Sequence, residues 1–173
     1  MAEGNGGSAG TGRKTLIVAD ASTLIALHKI GLIYLLDLLY DEVLIPPAVF
    51  VEARSLSTLP SWLHVKPLEE DIPERIKRRR MGSGETEAIC LALECDAILV
   101  TDDLKARRAA EVEGLPIIGT VGILTAAKSA RLSETLKTHL NSYLRTGSRL
   151  SQQLYEETLL AVGEQPDLPS ESR

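Results

Sequence analysis

The 173 residues suit one ordinary domain with a full core, and 44% hydrophobic with 25% charged residues is a globular composition. A formal net charge of −5 supplies no global basic field, and one Phe, one Trp and four Tyr are too few for a stacking platform for single-stranded nucleic acid. No run approaches the ~18 apolar residues of a membrane span, so no membrane role is expected and the cytoplasm is the expected compartment. In chain order, residues 1–14 (MAEGNGGSAGTGRK) are Gly-rich, lack the apolar stretch of a secretory signal, and read as a disordered leader. One domain is expected over 15–163, and the Pro/Ser/acidic segment 164–173 reads as a disordered tail.

Leu16-Ile17-Val18-Ala19 is a short continuous apolar run, the mark of a strand buried on both faces. It ends at Asp20, and Ser22 can cap a helix from Thr23 to Ile30. Gly31 breaks that helix, and Leu32 to Tyr40 forms a second amphipathic segment. Val43-Leu44-Ile45 is the next strand. Pro46-Pro47 then suits a helix opening, since proline's fixed φ and missing donor are tolerated there, and the helix Ala48 to Leu56 carries Glu52. A connection from Leu59 to Leu68 holds an edge strand, His64-Val65-Lys66. A charged helix is expected over 71–80, then Gly82-Ser83-Gly84 precedes a strong helix from Glu85 to Glu94. Ala97 to Thr101 is a third buried strand, ending in Asp102-Asp103. A helix from Leu104 to Glu113, a strand Pro116-Ile117-Ile118, and three helices (121–130, 133–144, 151–162) complete the chain. Strands alternating with helices imply an α/β fold with a mostly parallel sheet covered on both faces.

In such sheets functional groups gather beyond the carboxyl ends of the strands, where Asp20 and Asp102-Asp103 stand. Cys90 and Cys95 have no metal-ligand spacing and read as buried thiols in a reducing compartment, while His28, His64 and His139 are isolated. The chemistry therefore falls to carboxylates. Mg²⁺ or Mn²⁺ prefers hard oxygen ligands, and a bound ion can activate water and polarise a phosphoryl oxygen, so phosphodiester hydrolysis needs no His or Ser nucleophile. The candidates are Asp20, Glu52, Glu85 or Glu87, and Asp102 or Asp103. Each has a plainer reading, as a helix cap, a first-turn charge or a solvated residue. Glu85 and Glu87 lie ~200° apart on a helix and cannot share a face. Glu85 is in register with Ala88, Ile89 and Ala92, whereas Glu87 lines up with Leu91 and Glu94, an expected outward face, which favours Glu85. Between Asp102 and Asp103 the physics decides less. Arg75, Lys77, Arg78, Arg79 and Arg80 before Glu85, and Lys105, Arg107 and Arg108 after Asp103, could position a phosphate backbone or merely solvate two helices.

The segments IVADASTLIAL, LIPPAVFVEA, GSGETEAICLALECDAILVTDD and ARRAAEVEGLPIIGTVGIL, in this order and spacing, resemble the PIN-domain family of metal-dependent nucleases, which includes the VapC-type toxin ribonucleases. The resemblance covers about Leu16 to Gly163, and SRLSQQLYEETLLAVGE is similar to the C-terminal extension of a prokaryotic PIN subfamily of unassigned function. It implies a Rossmann-like three-layer α/β/α sheet, an acidic pocket for Mg²⁺ or Mn²⁺, endoribonuclease action on RNA, a homodimer, and a small antitoxin protein as partner. Carried over by position, Asp20, Glu52, Glu85 and Asp103 are the four acids, to converge on one pocket, with Asp102 a further metal ligand and Ser22 and Thr101 in support. The third acid is Glu where many relatives have Asp, so the metal geometry there can differ. A D-x-D phosphotransfer site would need an acid where Ser22 stands. The remaining alternative is a PIN-like scaffold without activity that dimerises and binds protein or RNA.

Overall fold

The strand Leu16–Ala19 (β1) is the centre of a sheet because its residues tolerate burial on both faces: Ile17, Val18 and Ala19 are wholly enclosed. A computed structural model describes residues 15–56 and 59–166. Beside β1 lie Glu42–Ile45 (β2) and Ile98–Val100 (β4), and the outer positions are taken by Leu63–Val65 (β3) and Ile117–Ile118 (β5). The order is β3-β2-β1-β4-β5, and every pairing is parallel. The expectation of a mostly parallel sheet is thus met throughout the described residues, with the expected edge strand at β3.

The topology fixes where a site can form. From β1 the chain steps outward through β2 to β3, then returns to the other side of β1 with β4 and β5. The direction reverses between β1 and β4, and the crevice beyond their carboxyl ends is where open parallel sheets bind ligands. Register pairs Ala19 with Val100, and the Asp20 amide donates to the Val100 carbonyl at 3.0 Å, so Asp20 and Thr101 emerge side by side.

Helices cover the sheet. Ser83–Cys95 (α5) packs on β1 and touches Pro47–Glu52 (α3) and Leu104–Val112 (α6). Ala21–Lys29 (α1) and Leu35–Leu39 (α2) meet Thr120–Ser129 (α7). Leu136–Arg145 (α8) packs on α7, and Gln152–Ala161 (α9) packs on α8. Of the apolar residues expected to seat these last helices, Leu136, Leu140 and Leu159 are fully buried and Leu144 partly, whereas Leu154 and Leu160 are about half exposed. Among the described residues no helix is long and apolar enough to cross a membrane.

Several elements differ from the sequence reading. The helix expected over 71–80 is one turn, Glu74–Lys77 (α4), because Pro73 bars the preceding residue from helical backbone and Arg80 turns left-handed at φ 51°. The helix from Ala48 tightens after Glu52 into a 3₁₀ turn, Ala53–Ser55. The α5 helix begins at Ser83, earlier than expected, so the glycine pair falls at its opening. Ser22 does not cap α1; Asp20 does, accepting the Thr23 amide at 2.8 Å. Glu164, expected to begin the tail, is tied to the fold: its carboxylate accepts the amides of Leu136 and Lys137 at 2.8 and 2.9 Å and pairs with Lys128 at 3.0 Å. Those amides belong to the first turn of α8, whose N–H groups precede any intrahelical acceptor, and an anion both satisfies and stabilises that turn. Residues 1–14 and 167–173, which carry the expected leader and most of the expected tail, lie outside the described residues. Cys90 is buried, and burial followed by the charge of Glu94 pushes its thiol up to about 11, while Cys95 is half-buried.

Candidate active site

Asp20 is 3% exposed at the end of β1. Its Oδ1 caps α1, and its Oδ2 accepts the Ser22 hydroxyl at 2.9 Å and the Thr101 hydroxyl at 2.5 Å. Three donors leave one of roughly four acceptor positions open. Burial raises the carboxyl's pKa, opposed in part by the hydrogen bonds from Thr101, Thr23 and Ser22. The site therefore holds an anion where solvent supplies little help, a condition that a cation relieves.

Thr101 joins the two strand ends. While donating to Asp20, its Oγ1 accepts the Asp103 amide at 3.2 Å. Asp103 in turn caps α6, Oδ1 receiving the Ala106 amide at 2.7 Å. Both strand-end acids thus act as helix caps and still have acceptor capacity to spare. The capping explanation and the chemical one do not compete.

The other two acids meet at the opening of α5. Glu52 Oε1 accepts the Gly84 amide at 3.1 Å and the Ser83 hydroxyl at 3.4 Å. A Cβ on Gly84 would fall 2.5–2.8 Å from the Glu52 carboxylate, so glycine is what lets the anion sit against the first turn of the helix. Glu85 folds back over Gly82, where a Cβ would come within 2.3 Å of its Oε2, and it has no hydrogen-bond partner among the described residues. Lys105, in the first turn of α6, donates to the Arg80 carbonyl at 2.7 Å, tying the α6 opening to the segment just before the Gly82–Gly84 turn.

Asp20 and Asp103 are thus joined through Thr101, and Glu52 and Glu85 both lie at the opening of α5, with no hydrogen bond between the two sets among the described residues. Among the described residues no three His, Cys, Asp or Glu side chains form a ready metal cage. The donor chemistry nonetheless fits a hard divalent ion. All four are carboxylates, and Mg²⁺ is commonly held by one or two carboxylates while keeping several waters.

The two neighbouring acids have other work. Asp102 is bonded to α7 and α8, accepting the Thr120 amide (2.8 Å), the Thr120 hydroxyl (2.6 Å) and the Tyr143 hydroxyl (3.0 Å). Burial, and then the negative charge of Asp102, push the Tyr143 phenol up to about 12. Glu87 is not on an outward face: its Oε2 accepts the Ala48 amide at 3.0 Å, across the gap to the first turn of α3. Leu91 on the same stripe is fully buried, and Glu94 accepts the amides of Glu69 and Glu70, both at 3.0 Å. The ground for preferring Glu85 was therefore mistaken. What distinguishes Glu85 is that its carboxylate is uncommitted.

The expected basic set divides the same way. Arg75 and Arg79 are held by Glu113 at 2.9 and 3.8 Å, which clamps α4 to the end of α6. Lys77 pairs with Glu74 at 3.0 Å, and Arg107 donates to the Thr101 carbonyl at 3.0 Å. Arg78, Arg80 and Arg108 remain exposed without side-chain partners among the described residues. Sequence reasoning missed Glu164, Thr120 and Tyr143, whose roles appear only when distant elements pack.

Residues 16–164 match a family described as PIN domain, DUF3368. Among solved structures, the chain is similar to a PilT N-terminus domain protein from the hyperthermophilic archaeon Sulfolobus solfataricus P2, with TM-score 0.50 and 19% identity over 65% of this chain and 93% of that one. That likeness concerns the fold alone. No curated protein matches the chain.

Proposed function

The chain belongs to the PIN-domain family, and on that premise we propose that it is a Mg²⁺- or Mn²⁺-dependent endoribonuclease, the toxin of a toxin–antitoxin pair, acting as a homodimer restrained by a small antitoxin protein. The observation that carries the activity is the buried Asp20 carboxylate joined through one hydroxyl, that of Thr101, to Asp103 at the reversal point of the sheet. When bound, the ion polarises the scissile phosphate and makes water a better nucleophile. Asp20 and Asp103 would hold it, with Glu52 and Glu85 acting from the α5 side.

The protein's own groups divide the remaining work. Thr101 fixes the rotamer of Asp20 and the backbone of Asp103 together, so the two acids keep one spacing. The amide end of α5 fixes the position of the Glu52 carboxylate. Glu85, whose Oε atoms have no donor among the described residues, is the carboxylate free to take a proton from water attacking phosphorus. Lys105 ties the segment before α5 to the α6 opening, a tie that supports a reading in which Glu52 and Glu85 act on the same ion as Asp20 and Asp103.

The test is cleavage of labelled RNA by the purified chain with Mn²⁺, with EDTA, and with Asp20→Asn. Cleavage that requires Mn²⁺ and Asp20 supports the reading. The lack of a three-residue cage among the described residues favours the alternative of a silent scaffold. An intact protein that cuts nothing and gains no stability from Mn²⁺ would establish that alternative.

A further inference from the structure

A groove with a cavity volume of 840 Å³ runs between β5, α7 and the two C-terminal helices. Its lining takes in Asp102 and Leu104, the residues on either side of Asp103, so the groove lies beside the strand end that carries Asp103. Ile118, Val121, Leu150 and Leu154 give it an apolar floor, and Arg107 and Arg149 stand in its walls.

The groove lining holds two carboxylates, Asp102 and Glu157, and two guanidinium groups, Arg107 and Arg149, which differ in how far their hydrogen-bonding atoms are already used. Asp102 is committed to Thr120 and Tyr143, and Glu157, also on the lining, accepts from Gln153 Nε2 at 2.8 Å. Arg107 uses Nη1 on the Thr101 carbonyl and keeps its other donors, while Arg149 is exposed with no partner among the described residues. Asp102 and Glu157 keep their negative charges with oxygens already occupied, whereas the guanidinium groups of Arg107 and Arg149 still have donors to offer. Leu104 is 69% exposed although it directly follows Asp103. An apolar floor beside two guanidinium groups matches a nucleotide, which offers a flat apolar base and an anionic phosphate. The volume lies within the ~300–1,000 Å³ of ordinary ligand sites.

We infer that this groove seats the RNA strand on one side of the cleavage point, with phosphates on Arg107 and Arg149 and a base against the apolar floor. The inference rests on the ribonuclease reading and adds to it a task for the C-terminal helices, which build one wall of the substrate path. Arg149 was not among the cations expected from the sequence to touch RNA.

The test follows kcat/KM for cleavage of a 12-nucleotide single-stranded RNA by the full chain at several salt concentrations. Arg149→Glu should lower it tenfold or more at low salt, and flatten the salt dependence by about 0.7 or more in log–log slope, the equivalent of one single-strand phosphate contact. Leu154→Asp, at a half-exposed floor position, should lower it as well, which guards against a folding defect peculiar to one variant. The melting shift produced by Mn²⁺ should match wild type in both. Wild-type protein that cuts RNA, with both variants behaving like it, overturns the groove assignment and returns the groove to a protein partner. Wild-type protein that cuts no RNA overturns the ribonuclease reading and the groove with it.

Discussion

Asp20 carries a charge in a place where charge is costly, and that makes its protonation measurable. A carboxyl whose folded pKa is raised binds its proton more tightly folded than unfolded. Its contribution to stability is therefore full below the unfolded value, near 3.8, and is lost as pH rises through the higher folded value. Without metal, the wild-type melting temperature should gain on that of Asp20→Asn as pH falls from 7 towards 4, while at pH 7 the variant should melt at or above wild type. Each 1 kcal/mol appears as about 2–4 °C in a chain of this size. Cleavage by the variant should fall at least about a hundredfold, the upper end of what losing a mere orienting partner of a metal ligand costs. A variant with wild-type melting at every pH and wild-type cleavage contradicts both roles. Asp20, Glu52 and Asp103 were legible because each lies beyond a strand or at a helix end, positions that a hydrophobic pattern exposes. The partners of Asp102 and Glu87 were not, because Thr120, Tyr143 and Ala48 are far away in sequence and the periodicity of one helix says nothing about a side chain that crosses to another.

At the scale of elements, long-range caps and clamps decide where short helices sit. Glu113 holds α4 through Arg75 and Arg79, so two expected phosphate ligands are structural ties. Glu164 anchors the first turn of α8 to the end of the described chain. Burial alone would raise its pKa, but the Leu136 and Lys137 amides and Lys128 together hold it below the ordinary 4.5. A depressed carboxyl contributes stability above its unfolded pKa and loses it as pH falls through the folded one. Glu164→Gln should therefore cost about 1 kcal/mol at neutral pH, a typical cap, and the gap to wild type should close below pH 4.5. Calorimetric melts across pH 3–7 check this, and a gap that persists unchanged at pH 3 would rule the linkage out. The strands were legible as short apolar runs, and the α5 core stripe as a repeat. Helix limits were less so, because Pro73 and the left-handed Arg80 act on backbone geometry, which periodicity does not register.

The whole molecule places Asp20 and Asp103 at the carboxyl edge of the sheet, with the C-terminal helices tied to the neighbouring Asp102 by the Tyr143 hydroxyl. Leu136, Leu140 and Leu159 are fully buried by these helices, and at ~1.5–3 kcal/mol each they contribute roughly 5–9 kcal/mol, comparable to a typical domain's entire stability. A chain ending at Arg131 should be insoluble or lack a cooperative melt; a soluble product melting like the full chain would show that α8 and α9 are dispensable. The alternation of strands and helices was enough to read an α/β sheet, and the order of motifs pointed to the family. Strand order was not readable from the alternation itself, since it depends on which crossovers pack. The central claim is that the reversal point between β1 and β4 holds a divalent ion on Asp20 and Asp103. It is tested most directly by an anomalous-difference map from a crystal soaked in Mn²⁺. The account predicts a peak ~2.0–2.3 Å from a carboxylate oxygen of Asp20 and within direct or single-water reach of Asp103. A well-ordered crystal with no peak there, or with its strongest peak on other residues, would contradict it.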